Sequence, residues 1–98
     1  MSEEMLVRHV IVEGLVQGVG YREFTRRASL KFRISGWVRN RADGTVEAVV
    51  KGAPSDVESM LAEMRRGPRS AAVTDLRLLE PDGADEVWAS AFVIRSTL

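Results

Sequence analysis

The sequence predicts an α+β domain in which an antiparallel sheet carries two helices on one face, in the order β-α-β-β-α-β. Three observations carry this expectation. Two segments, beginning near Tyr21 and Ser55, repeat apolar residues at helical spacing. Between and around them lie runs rich in β-branched residues, bounded by Gly, Pro and Asp. An Asp-Gly pair separates two of those runs, which is a hairpin signal.

The elements follow in order. "LVRHVIV", Leu6 to Val12, reads as the first strand. After a glycine-rich loop, Tyr21, Phe24, Ala28 and Phe32 fall on one face of the first helix. "ISGWVRN" (Ile34 to Asn40) and "TVEAVVK" (Thr45 to Lys51) read as two strands joined by "RADG". The second helix opens at "SDVE", Ser55 to Glu58, whose spacing fits a capping box with Ser55 as the cap. Val57, Met60, Leu61 and Met64 form its apolar stripe, and Gly67-Pro68 ends it. "VTDLRLLE", Val73 to Glu80, is the fourth strand, and "PDGAD" is a turn. A last strand falls within "VWASAFVIR", around Phe92 to Ile94, leaving room for a short extra strand in this region. Two helices with one apolar stripe each suit one face of a single sheet, which is the ferredoxin-like arrangement. That arrangement hosts enzymes, RNA binders and regulatory modules, so function must come from the site.

Composition bounds the function classes. Ninety-eight residues predict a single domain over residues 1–98. There is no cysteine, which excludes disulfides and thiolate metal sites, and one histidine, His9, which excludes a His-based metal cluster or triad. The acidic start and short, interrupted apolar run of "MSEEMLVRHVIVEG" do not form a secretory signal. No apolar stretch approaches the roughly 20 residues that span a bilayer. A cytoplasmic monomer with no membrane partner is the expectation. The formal net charge is zero, against a general nucleic-acid binder. Charge is unevenly spread, however: residues 1–51 hold nine Arg/Lys against six Asp/Glu, and residues 52–98 hold five against eight. The positive surplus shares a half of the chain with the glycine loop, where it favours a small anion.

That loop, "GLVQGVGYR", is the first candidate site. Gly14, Gly18 and Gly20 can take positive φ and turn successive N–H groups inward as an anion nest. The helix beginning at Tyr21 adds its positive end, and Arg22 adds a planar fork of donors. A Walker loop needs Gly-Lys-Ser/Thr, and a dinucleotide fingerprint needs glycine at position 23, which is Glu23; neither fits. A flexible strand-to-helix connection with an exposed arginine fits the same residues. The second candidate is Asn40, at the end of "GWVRN". Asparagine is common before turns, yet its amide can also hold a water in a defined orientation. Trp37 reads as a packing residue, and Arg39 and Arg41 as solvated side chains.

Together, "VQGVGYR" (Val16–Arg22), "GWVRN" (Gly36–Asn40), "DGTVEA" (Asp43–Ala48), "GP" (Gly67–Pro68) and "FVI" (Phe92–Ile94) resemble the acylphosphatase family. The resemblance runs from about Val10 to Ile94, and the glycine loop followed by Trp37 within "GWVRN" makes it specific. It implies a ferredoxin-like α/β sandwich that hydrolyses acyl phosphates to a carboxylate and inorganic phosphate. It also implies that Arg22 and the loop backbone of Gln17, Gly18, Val19, Gly20 and Tyr21 bind the phosphoryl group, and that Asn40 positions the attacking water. An acyl phosphate is already activated, so no metal, cofactor or covalent nucleophile is called for. Glu13 and Glu23 flank the loop, but nothing in the sequence aims either inward as a base.

Two residues depart from the family pattern. Arg33 stands where a helix-ending glycine is usual, and a non-glycine residue in the left-handed conformation costs roughly 1 kcal/mol. Tyr21 replaces the commoner phenylalanine, and its hydroxyl needs a partner if buried. The alternative reading is a non-catalytic acylphosphatase-like module that binds phosphate. An RNA-binding domain on the same topology would need exposed strand aromatics and a basic face, which this chain lacks.

Overall fold

Seven elements make up the computed structural model, which describes residues 4–79 and 91–97. They are β1 (Leu6–Leu15), α1 (Tyr21–Lys31), β2 (Ser35–Asn40), β3 (Val46–Gly52), α2 (Pro54–Arg66), β4 (Ala72–Leu79) and β5 (Phe92–Ile94). The "PDGAD" turn and the first part of "VWASAFVIR" lie outside the described residues. Among the described residues, no helix is long and apolar enough to cross a membrane.

The sheet order is β4-β1-β3-β2-β5. β1 pairs antiparallel with both β3 and β4, and β2 pairs antiparallel with β3. The sheet is nevertheless mixed rather than wholly antiparallel, because β5 runs parallel to β2. β1 and β2 run the same way, and β4 runs against them. A chain that turns back after β4 therefore reaches the far edge in the direction of β2.

Alternation along the strands sorts the core into two faces. Val10 and Val12, Val38, and Val46, Ala48 and Val50 pack against Tyr21 and Ala28 of α1 and Val57, Met60, Leu61 and Met64 of α2. The intervening His9, Ile11, Trp37, Glu47 and Val49 are buried on the opposite face. There Trp37 is a packing residue, with the Arg39 and Arg95 guanidinium groups 4.8 and 4.7 Å from its ring centroid. Arg39 is not a freely solvated side chain: its Nε donates to Glu47 Oε1 at 2.8 Å, and Arg41 approaches the same oxygen at 3.7 Å. His9 Nε2 donates to the other carboxylate oxygen at 2.6 Å.

The buried face of α1 is Tyr21, Thr25, Ala28 and Ser29, rotated from the predicted stripe, and Phe24 is only half-buried. Two polar residues can occupy the inner face because Thr25 Oγ1 donates to Tyr21 O and Ser29 Oγ to Arg26 O. Arg33 takes φ 57°, the left-handed position that glycine would fill, and the Ile34 N–H closes back on Ser29 O at 2.8 Å. α2 opens two residues earlier than the capping-box pattern indicates. Ala53 is the N-cap, Pro54 takes the first helical position, and no side chain among the described residues caps the helix. Proline's fixed φ sets the start, which puts Ser55 inside the first turn. Gly67, at φ 68°, ends the helix where the sequence predicts.

Two glycines are demanded by neighbouring backbone. At Gly14, beside the register shift in the β1–β4 ladder, an added Cβ would lie 2.1 Å from Ala72 O; at Gly36 it would lie 1.9 Å from Val49 O. Residues 41–44 form the expected turn, with Gly44 at φ 92° and Asp43 Oδ1 accepting from the Thr45 N–H and hydroxyl.

Candidate active site

Between β1 and α1 the chain makes its glycine turn, with Gly18 at φ 74° and Gly20 at φ 78°. An added Cβ at either meets nothing within 4 Å, so conformation rather than crowding selects glycine here. Gly20 is the N-cap of α1 and offers no side-chain acceptor. The first N–H groups of the helix thus lack a side-chain partner among the described residues, and they carry the positive end of its dipole. Ser70 Oγ donates to Val19 O at 2.9 Å. Across a trans peptide the carbonyl and the next N–H point opposite ways, so this bond directs the Gly20 N–H away from Ser70.

A pocket of about 230 Å³ opens at this turn, lined by Val16, Gly18, Gly20, Tyr21, Arg22, Glu23, Asn40 and Ile94. Arg22, half-buried in the first turn of α1, has no ion-pair partner among the described residues. Asn40, the last residue of β2, holds its Oδ1 buried with no hydrogen-bond partner among the described residues. An unpartnered acceptor of this kind is costly unless something at the site uses it.

The two flanking glutamates are otherwise engaged. Glu23 accepts from Arg26 Nε and Nη2 at 2.9 and 2.7 Å and from Arg27 Nε at 3.2 Å. The Arg26 hydrogen bonds hold its carboxyl down to about 2. Glu13 accepts from Arg77 Nε at 2.7 Å. Glu23, held ionised in this way, is a weak base.

Five residues singled out from the sequence, Gly18, Gly20, Tyr21, Arg22 and Asn40, therefore meet in one pocket. Tyr21 does so through its backbone end: its ring is in the core, its hydroxyl donates to Met64 O at 2.7 Å, and burial pushes the phenol well above its ordinary value. Gln17 and Val19 do not line the pocket. The Val19 side chain packs on the core, and the Gln17 amide donates to Arg41 O and Thr45 O. Sequence reasoning missed Val16 and Ile94 as apolar walls. Ile94 comes from β5, far along the chain, and only the parallel pairing with β2 brings it beside Asn40. Among the described residues, no three His, Cys, Asp or Glu side chains group as metal ligands.

The arrangement suits a small tetrahedral oxyanion: uncapped helix amides, a turn of αL glycines and one guanidinium converge on it, with an amide acceptor alongside. The comparisons with known proteins point the same way. A family model described as acylphosphatase matches residues 8–94. An acylphosphatase of Bordetella avium (strain 197N) is 50% identical over 74 residues, covering 76% of this chain and 79% of that protein. The structure of an acylphosphatase from Coxiella burnetii superposes with a TM-score of 0.82 at 33% identity, covering 93% of each chain. Full-length HypF in its phosphate- and nucleotide-bound form superposes with a TM-score of 0.78 at 25% identity, over 99% of this chain and 13% of that one. With its family match running from the first strand to the last, the chain belongs to the acylphosphatase family of hydrolases.

Proposed function

We propose that this protein hydrolyses the carboxyl–phosphate bond of small acyl phosphates, acting as a single cytoplasmic domain and as a monomer. Arg22 and the backbone amides of Gly18, Gly20 and the start of α1 hold the phosphoryl oxygens. Asn40 accepts a hydrogen bond from the attacking water at Oδ1 and so aims its oxygen at phosphorus. The water oxygen forms a new bond to phosphorus while the acyl oxygen leaves with its electron pair as carboxylate. One water proton stays on the new phosphate hydroxyl, and the other passes to a phosphoryl oxygen. No covalent enzyme intermediate is needed, since the carboxylate is a good leaving group. Charge stabilisation comes from donors already in place, which need no reorganisation as the reaction proceeds.

The observation that carries this reading is the buried, unpartnered Asn40 Oδ1 in the same pocket as Arg22. A module that only bound phosphate would have use for Arg22 and none for that acceptor. The likeness to a small part of HypF keeps such a module as the second reading. Benzoyl phosphate hydrolysis in the presence of a chelator tests the two. The wild type should turn over, and Arg22→Ala and Asn40→Ala, both folded, should each lose on the order of a hundred- to thousandfold in rate. A folded wild type that binds phosphate without turnover would transfer the assignment to the binding module.

A further inference from the structure

Among the described residues, the glycine loop and the Asn40 hairpin share no backbone hydrogen bond, and the side chain of Gln17 supplies the link between them. Its Nε2 donates to Arg41 O and to Thr45 O, each at 2.8 Å, which uses both protons of the amide. The two carbonyls bracket the closing rung of the hairpin. Arg41 follows Asn40 directly, and Thr45 precedes Val46, the residue paired with Asn40 across β2 and β3. The Arg41 N–H also donates to Thr45 O at 2.9 Å, so the Gln17 amide grips a rung that is already closed.

We infer that Gln17 is a positioning residue, whose side-chain amide fixes the separation between the phosphoryl cradle and the Asn40 amide. The inference rests on the roles proposed above for Arg22 and Asn40. One planar NH2 group holding two carbonyls restrains the loop both along and across the hairpin, which a single bond would not do. Removing it leaves Gly18, Gly20, the α1 amides and Arg22 intact, so a phosphoryl group is still bound. What loosens is the line from the Asn40-held water to phosphorus, and a misplacement on the order of 1 Å costs up to about a hundredfold in rate. The signature is a fall in kcat without a fall in phosphate affinity.

The test is a double-mutant cycle with benzoyl phosphate as substrate and inorganic phosphate as competitive inhibitor. Gln17→Met keeps length and bulk and removes both donors. It should lower kcat about ten- to a hundredfold while the phosphate inhibition constant stays within about twofold. In the Asn40→Ala background, Gln17→Met should cost nothing further, because the geometry it protects has already been lost. If Gln17→Met does not fold, Gln17→Asn, which withdraws the amide by one methylene, is measured the same way. Full activity in a folded Gln17 variant, equal losses with and without Asn40, or loss of phosphate affinity in step with kcat would each overturn the inference. Asn40→Ala with undiminished activity would instead remove the water-positioning role beneath it, so the two failures are told apart.

Discussion

Arg22 stands out beside glycines and a helix start, yet local pattern alone leaves it and Asn40 as an exposed arginine and a pre-turn asparagine; the resemblance of "VQGVGYR" and "GWVRN" to the acylphosphatase pattern is what singles them out. The destinations of Gln17 and Ile94 were not legible, since each depends on a partner more than 20 residues away that local pattern does not encode. Glu23 shows how a residue beside the site can be chemically quiet. Its folded carboxyl is held near 2 by Arg26, with Arg27 adding to the effect, so above about pH 4 it stays ionised and holds no proton to exchange. The expected kcat–pH profile therefore has no acidic limb that belongs to Glu23, which is checked by comparing wild type with Glu23→Gln. A limb that vanishes in the variant would make Glu23 the base and displace proton transfer to the substrate.

At the scale of elements, the helices and strands were readable from periodicity, whereas their ends were settled by single residues. Ser55 looked like the cap of α2, yet Pro54 fixes the first turn and leaves Ala53 in the cap position with no side-chain acceptor. Ala53→Asp should supply one and raise stability by about 1 kcal/mol, read as a higher urea midpoint at constant slope. The end of α1 gives the opposite case, because departure from the family pattern marks Arg33 as out of place and its φ of 57° agrees. Arg33→Gly should relieve about 1 kcal/mol of backbone strain and shift the same midpoint upward. An unchanged or lowered midpoint would mean that the arginine side chain, or the extra freedom glycine gives the unfolded chain, offsets the strain. The parallel β5 was beyond periodicity altogether, since a three-residue strand carries no record of which edge it joins.

The whole molecule depends on two unlike faces of one sheet. One is a packed apolar core; the other holds Glu47 among His9, Arg39 and Arg41. Burial works against the ionised Glu47 carboxyl, but hydrogen bonds from His9 and Arg39 outweigh it, and the folded pKa lies below the ordinary value of 4.5. The unfolded chain therefore takes up this proton first. Stability from the cluster is complete above about pH 4.5 and is lost as pH falls through the lower folded value. Urea midpoints measured downward from pH 7 should fall in that window, and less so in Glu47→Gln. At neutral pH that variant should already be less stable, because it weakens the acceptor of buried His9 and part-buried Arg39; pH curves that fall together would remove Glu47 as the source. The glycines divide in a similar way between what the fold requires and what the site uses. Gly14 and Gly36 are fixed by backbone pressed against them, whereas Gly18 and Gly20 face open space and are held by torsion preference alone. A side chain at Gly18 or Gly20 is thus opposed by backbone strain and not by a clash, and asparagine, which tolerates left-handed φ better than most residues, is the replacement that would strain the cradle least.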